Sequence, residues 1–481
     1  MNRTERSLNF AIALAVVGIG GCAAEEEEAA APPDVVVIVA DDLGFGDVGY
    51  NGSEIRTPQI DALAREGVTF DRFYVHPLCS PTRSALMTGR SPLNTGVLTA
   101  LEPWSDTGLP LDEKLLPEYF QDAGYQTFVV GKWHLGPNKK PYYPQNRGFD
   151  HFYGGLGGFM NYYQRTVWGA VDWQRNGSTV MEEGYATHLQ TQEAVRLIGE
   201  SDPERPMLLY LSYNAPHSPL QAPQEAIDAY SAIEDAHRRI FAAMVTEVDS
   251  GIGELRAALS EVGRSDHTLI FFMSDNGGLE SVGADNGPLR GGKFSGWEGG
   301  IRVPALLHWP AKAPGGSSFA EAISVEDMLP TLLAAAGISA EPPKSRDGRN
   351  VWPALGGEAQ LNNKPFPQVW HFPPERDYRF GYLDGEWKLV QMPNPDTQER
   401  ERELFNIVQD PTESTDLAAD HPEILERLVG AFEILPEVEM HGRHAAPLPV
   451  RGAPGSPTHP LPDEAPPSKT PYAEAEWTSV P

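Results

Sequence analysis

Val35-Val36-Val37-Ile38-Val39-Ala40, followed at once by Asp41-Asp42-Leu43-Gly44, is the stretch whose reading decides the fold. Six apolar residues without alternation suit a central parallel strand buried on both faces; a strand with one wet face would alternate. Two adjacent carboxylates at its end are costly to bury unless a cation lies beside them. An exposed turn would carry the same letters, so turn and cation site both stand at this point.

The pattern recurs further along the chain. Gln126 to Val130 delivers Gly131-Lys132-Trp133-His134-Leu135-Gly136, Met207 to Tyr213 delivers Asn214-Ala215-Pro216-His217-Ser218-Pro219, and Thr268 to Met273 delivers Ser274-Asp275-Asn276-Gly277-Gly278. A glycine loop, Leu289-Arg290-Gly291-Gly292-Lys293, follows. Lys132 and Lys293 are point charges for an anion, and His134 is a proton carrier near neutral pH. His217, between two prolines, belongs to a loop, where it is either a surface residue or part of a site. Helices are expected between the strands. One starts at Thr57-Pro58, with Thr57 as cap. Another runs from Asp112 to Ala123. A long one spans Ala236 to Val262 and carries Asp249 in a structural role. Alternation of this kind predicts an α/β fold with a large, mostly parallel sheet sandwiched by helices. Ligands of such sheets bind beyond the carboxyl ends of the strands. Four separate strand ends bearing metal- or anion-binding side chains are hard to assign to chance.

Cys79-Ser80-Pro81-Thr82-Arg83-Ser84-Ala85-Leu86-Met87-Thr88-Gly89-Arg90 reads as a short helix with a reactive residue just before its start and Gly89 at its end. The helix N-terminus and Arg83 make a positive surrounding for Cys79, able to bind an anion or lower a thiol pKa. Taken alone, a structural cysteine beside a surface helix fits as well.

Composition narrows the class. The 481 residues carry 37 Lys and Arg against 67 Asp and Glu, a net charge of −30. That argues against nucleic acid and anionic membrane surfaces as general partners. An anionic substrate would then need a local cluster of cations. The two cysteines, Cys22 and Cys79, exclude a disulfide framework. Residues 1–22 have the charged start and short apolar core of an export signal. Ile19-Gly20-Gly21-Cys22 resembles a bacterial lipobox, which implies lipid anchoring at Cys22 in the periplasm or at the cell surface. Plain secretion with nearby cleavage is the other reading. Residues 23–33 form an acidic, Ala- and Pro-rich tether. The large α/β domain is placed at 34–355. A smaller antiparallel sheet with one helix is placed at 356–445, with strands at Gln368 to His371, Phe380 to Leu383, Trp387 to Gln391 and Glu403 to Asn406, and a helix from Pro422 to Glu433. A Pro-rich tail, 446–481, is extended or wraps back onto the domain.

The Cys79 stretch through Thr88-Gly89-Arg90, together with Gly-Lys-Trp-His-Leu-Gly at 131–136, Asp-Asp-Leu-Gly at 41–44 and Thr57-Pro58-x-x-Asp61, resembles the sulfatase family over roughly residues 34–440. The resemblance implies an alkaline-phosphatase-like fold and hydrolysis of a sulfate ester, with Cys79 oxidised to formylglycine by a formylglycine-generating enzyme. It implies one calcium ion held by Asp41, Asp42, Asp275, Asn276 and the modified Cys79, an oxygen-rich set suited to a hard cation. It places sulfate between the metal, Lys132 and Lys293. One hydroxyl of hydrated formylglycine attacks sulfur to give a covalent sulfoenzyme, and the other expels sulfate. Arg83 holds the formylglycine, His134 serves as base for sulfate release, and His217 with Lys293 assists the leaving group. An exported enzyme of this kind suits a sulfated carbohydrate. The rivals are a phosphate-ester hydrolase of the same superfamily, which needs further His and Asp ligands for two zinc ions, and a non-catalytic lipoprotein binding sulfated glycans, which needs no cysteine.

Overall fold

A computed structural model describes residues 31–433 apart from 104, 314, 372–377 and 394–399. The expectations for residues 1–22, for Cys22 and for the 446–481 tail lie outside the described residues. The fold below is that of the unit beginning at Pro33.

A mixed ten-stranded sheet forms the centre. Five neighbouring strands are parallel: Thr268–Ser274, Asp34–Ala40, Met207–Ser212, Gln126–Gly131 and His151–Gly154. Antiparallel pairs flank them. Ala305–His308 lies beside Thr268–Ser274 on one side, and Gln174–Arg175 lies beside His151–Gly154 on the other. All seven residues of Asp34–Ala40 are buried, as the unbroken apolar run requires. Alternate residues of that strand serve different cores. Val36, Ile38 and Ala40 pack with the helices Ala186–Glu200 and Ala236–Glu261, whereas Val35, Val37 and Val39 pack on the side of the Cys79–Thr88 helix.

Register fixes the location of everything chemical. Val39 pairs with Ser212, Ser212 with Gly131, and Ala40 with Ser274. The four strands therefore end level, and their following residues leave the sheet along one edge. Backbone bonds keep those exits together: Asp41 N donates to Ala215 O (3.1 Å), Asp275 N to Ala40 O (3.2 Å) and Lys132 N to Ser212 O (2.8 Å).

Several local expectations need correction. Cys79 is the first residue of its helix, Cys79–Thr88, not the residue before it. Gly89 ends that helix in the left-handed region (φ 65°). The helix expected from Asp112 starts only at Leu116. Thr57 makes no side-chain cap on the Pro58–Glu66 helix: its Oγ accepts Gly49 N (2.7 Å) instead of a helix amide, and its hydroxyl proton goes to Asp61 Oδ1. Asp249, from the long helix, caps it by accepting from Gln59 N (3.0 Å) and Ile60 N (2.8 Å).

The four-stranded antiparallel C-terminal sheet comprises Phe366–His371, Tyr378–Asp384, Trp387–Pro393 and Arg400–Asn406. One face holds the Pro422–Glu433 helix, with Phe380 and Phe432 stacked at 3.8 Å. The other packs Phe366, Leu383, Val390 and Phe405 against Tyr74 and Ile301 of the large sheet's side.

Candidate active site

Beyond the level strand ends, Asp41, Asp42, Lys132, Asp275 and Asn276 are all buried. Lys132 Nζ donates to Asp41 Oδ2 at 2.5 Å. Lys293 Nζ donates to Asp42 Oδ1 and Oδ2 at 2.6 and 2.8 Å. Asn276 Nδ2 donates to Asp42 Oδ1 at 2.7 Å. Arg83, on the helix that starts at Cys79, forks Asp275 Oδ2 through Nε (3.0 Å) and an Nη (2.7 Å). Its other Nη donates to Lys132 O, Tyr210 Oη and Ser212 Oγ. Asp275 Oδ1 accepts Asp42 N at 3.2 Å. Three carboxylates thus face three cations.

Cys79 Sγ lies 3.2 Å from His134 Nδ1. Burial pushes the Cys79 thiol up from its ordinary value, although Lys132 and Lys293 oppose that. This corrects the expectation of a lowered thiol pKa: desolvation outweighs the local positive charge. His134 is held well below its usual range by burial, then by Lys132 and Arg83, so its imidazole is neutral at neutral pH. His217 is pushed down to about 4 by burial, with Lys293 and Lys132 adding to the effect and Asp42 opposing it. Its Nδ1–H donates to Ser218 O (2.6 Å), which leaves Nε2 as an acceptor 3.6 Å from Asp42 Oδ2.

Two acceptors facing each other point to a cation, and two more observations agree. Asp41 Oδ1 and Asn276 Oδ1 are buried oxygens with no hydrogen-bond donor. Burial, then Asp275, pushes the Asp41 carboxyl up to about 8 despite Lys132, whereas Asp42 is held below its ordinary value because Lys293 and His217 outweigh its burial. Ligand atoms of Asp41, Asp42 and His217 lie within 4.8 Å of one another. An oxygen-dominated set with donorless acceptors fits a hard divalent ion.

Comparison with known proteins gives the family. The sulfatase family model matches residues 33–338, well over half of the chain. The chain belongs to the sulfatase family. A second model, the C-terminal region of N-sulphoglucosamine sulphohydrolase, matches residues 293–431. Arylsulfatase J of Mus musculus is 38% identical over 66% of this chain and 54% of its own length. N-acetylgalactosamine-6-sulfatase of Canis lupus familiaris is 34% identical over 68% of this chain and 66% of its own. The chain thus spans between half and two thirds of the length of these relatives. The solved structure of Ps i-CgsB in complex with k-i-k-neocarrahexaose superposes with a TM-score of 0.78 at 38% identity, covering 84% of this chain and 92% of that one.

All ten residues singled out from the sequence of this sulfatase-family chain occupy this one region. Further residues contribute. The loop after His151–Gly154 buttresses both histidines. A Cβ on Gly158 would lie 2.5 Å from His134 Cε1, so only glycine lets the loop pass the ring. Phe159 stacks parallel to His217 (6.3 Å, 8°), and Tyr162 Oη donates to Asn214 O and His217 O, both at 2.7 Å. The glycine- and aromatic-rich composition of 154–163 was the available signal. Trp370, from the C-terminal sheet, donates Nε1–H to Phe294 O at 3.1 Å and so steadies the residue after Lys293. No local sequence feature announces that contact.

Proposed function

We propose that the chain hydrolyses a sulfate monoester on a carbohydrate, with Cys79 as the residue matured to formylglycine and one calcium ion at Asp41, Asp42, Asp275 and Asn276. The carrying observation is the meeting of Cys79, at a helix start and 3.2 Å from a neutral His134, with three cations and two donorless buried oxygens. Relatives named for N-acetylgalactosamine 6-sulfate and a similar structure holding a neocarrahexaose support the carbohydrate.

With a divalent ion bound and all three carboxylates ionised, the side chains balance their own charges, so the ion would leave the site net positive toward an anionic ester and supply charge stabilisation to the sulfate oxygens. Formylglycine, when hydrated, supplies one hydroxyl for attack on sulfur and a second for release of sulfate. Lys132 and Lys293 hold sulfate oxygens. Neutral His134 accepts a proton at the position now taken by Cys79 Sγ, which suits the base for sulfate release. His217 and Lys293 serve the departing alcohol oxygen. Arg83 orients the head of the cysteine helix against Asp275. The same reading has the protein exported and lipid-anchored at Cys22.

The test uses full-length protein co-produced with a formylglycine-generating enzyme. The Cys79 peptide should lose about 18 Da, the change from CH2–SH to CHO. The enzyme should release sulfate from an aryl sulfate and from members of a panel of N-acetylgalactosamine 6-sulfate and sulfated hexasaccharides including k-i-k-neocarrahexaose. Preference for an aryl phosphate, or activity unchanged by Cys79→Ala, would overturn the reading.

A further inference from the structure

Thr166–Val167 and Ala170–Val171 form a hairpin closed by Trp168 and Gly169. Both turn residues have positive φ, 52° and 85°. Such two-residue turns favour Asn, Asp or Gly at the first position, because a bulky side chain is strained there. Here that position holds tryptophan, 70% exposed, the most exposed large apolar side chain among the described residues. Neither local backbone preference nor burial explains the choice, and strain of this kind is a pointer to function.

The hairpin is fixed to the active site. Asp172, at its root, accepts Leu156 N (2.9 Å) and Gly157 N (2.7 Å), and Leu156 O accepts His134 N (3.1 Å). Phe159 meets Trp168 edge to face (6.0 Å, 83°) while its own face lies on His217 (6.3 Å, 8°). One aromatic ring therefore separates the exposed indole from a candidate catalytic histidine. A rigid indole face at the rim, beside a site for the sulfate of one sugar, matches the apolar C–H face of a neighbouring sugar ring.

We propose that Trp168 is the stacking platform for a sugar ring adjoining the one that carries the scissile sulfate, so that the enzyme prefers oligosaccharides to monosaccharides. The proposal rests on the sulfatase reading above. Sulfate release is compared in matured wild type, Trp168→Ala and Trp168→Phe, with an aryl sulfate and the sulfated panel. The alanine variant should raise KM about tenfold for the best hexasaccharide, the scale of one packed aromatic contact. It should leave kcat and all aryl sulfate parameters unchanged, and phenylalanine should restore most of the loss. Calorimetric binding of that hexasaccharide after chemical desulfation should weaken in Trp168→Ala alone. Equal losses on hexasaccharide and aryl sulfate would make Trp168 structural and overturn the proposal. No preference of wild type for any hexasaccharide over its monosaccharide would overturn it too, leaving the sulfatase reading intact. Failure of matured wild type on every sulfate ester would sink both, and only that outcome removes the sulfatase reading.

Discussion

Arg83→Met tests whether the site is held from beneath by one guanidinium. Arg83 is 1% exposed, and its five donor contacts tie Asp275, Lys132 O, Tyr210 and Ser212 across three strand ends. Methionine fills much of the volume but strands the Asp275 carboxylate without its charged partner. Breaking a buried pair by removing one member costs about 3–5 kcal/mol. For roughly 400 ordered residues, an unfolding entropy of about 2.1 cal/mol/K per residue converts this to a Tm lower by about 4–6 °C. The measurement is scanning calorimetry at fixed scan rate with chelator present, so that no cation masks the uncompensated charge. Arg83→Met/Asp275→Leu should recover much of the loss, because removing both partners of a buried pair is often neutral. Recovery should be incomplete, since Asp42 N also loses its acceptor at Asp275 Oδ1. An unchanged Tm in the single variant, or losses that simply add in the double variant, would refute the reasoning.

Calcium at about a hundred times its Kd should stabilise wild type by about 2.7 kcal/mol, read as a Tm rise of about 3 °C, and Asp41→Asn with Asn276→Leu should abolish the rise. His134→Ala should leave substrate sulfate covalently attached to the Cys79 peptide, seen by mass spectrometry; free turnover without it would remove His134 from that role. Glu413 is buried beside Lys388 Nζ (2.8 Å), and burial lifts its carboxyl to about 7 although Lys388 opposes the shift. Its folded pKa exceeds the unfolded one, so its contribution to stability is complete below about pH 4.5 and is lost as pH rises through about 7. Glu413→Gln should flatten the fall in Tm over that window, and an identical pH profile in the variant would contradict the assignment.

The strand ends were legible because their signal is local. An apolar run followed by Asp-Asp, Lys-Trp-His or Asp-Asn shows both burial and its abrupt end, and parallel pairing then brings the ends level. Partnerships were not legible, because they depend on register between distant segments. Arg83 and Asp275 are 192 residues apart, and Asp249 caps a helix 189 residues before it. The same holds for Trp370 and Phe294. Nothing beside Thr57 says that its oxygen accepts Gly49 N, leaving the cap to another helix.

Backbone conformation marks the deeper limit. Asp42 and His134 both sit at positive φ, 67° and 57°, where a side chain costs about 1–3 kcal/mol. Asp and His tolerate this region better than most side chains, but neither position holds the glycine that would advertise such a turn. The strain persists because tertiary bonds over-determine it. Asp42 is held through its amide by Asp275 and through its carboxylate by Lys293 and Asn276. His134 is held by Leu156 O and packed against Gly158. Relaxing either residue to ordinary φ would swing its side chain away from the space it now shares with Lys293 or Cys79. The chain therefore accepts local strain at the two positions where a carboxylate and an imidazole must turn back over the edge of the sheet, and the bonds that hold them there are the same ones that assemble the site.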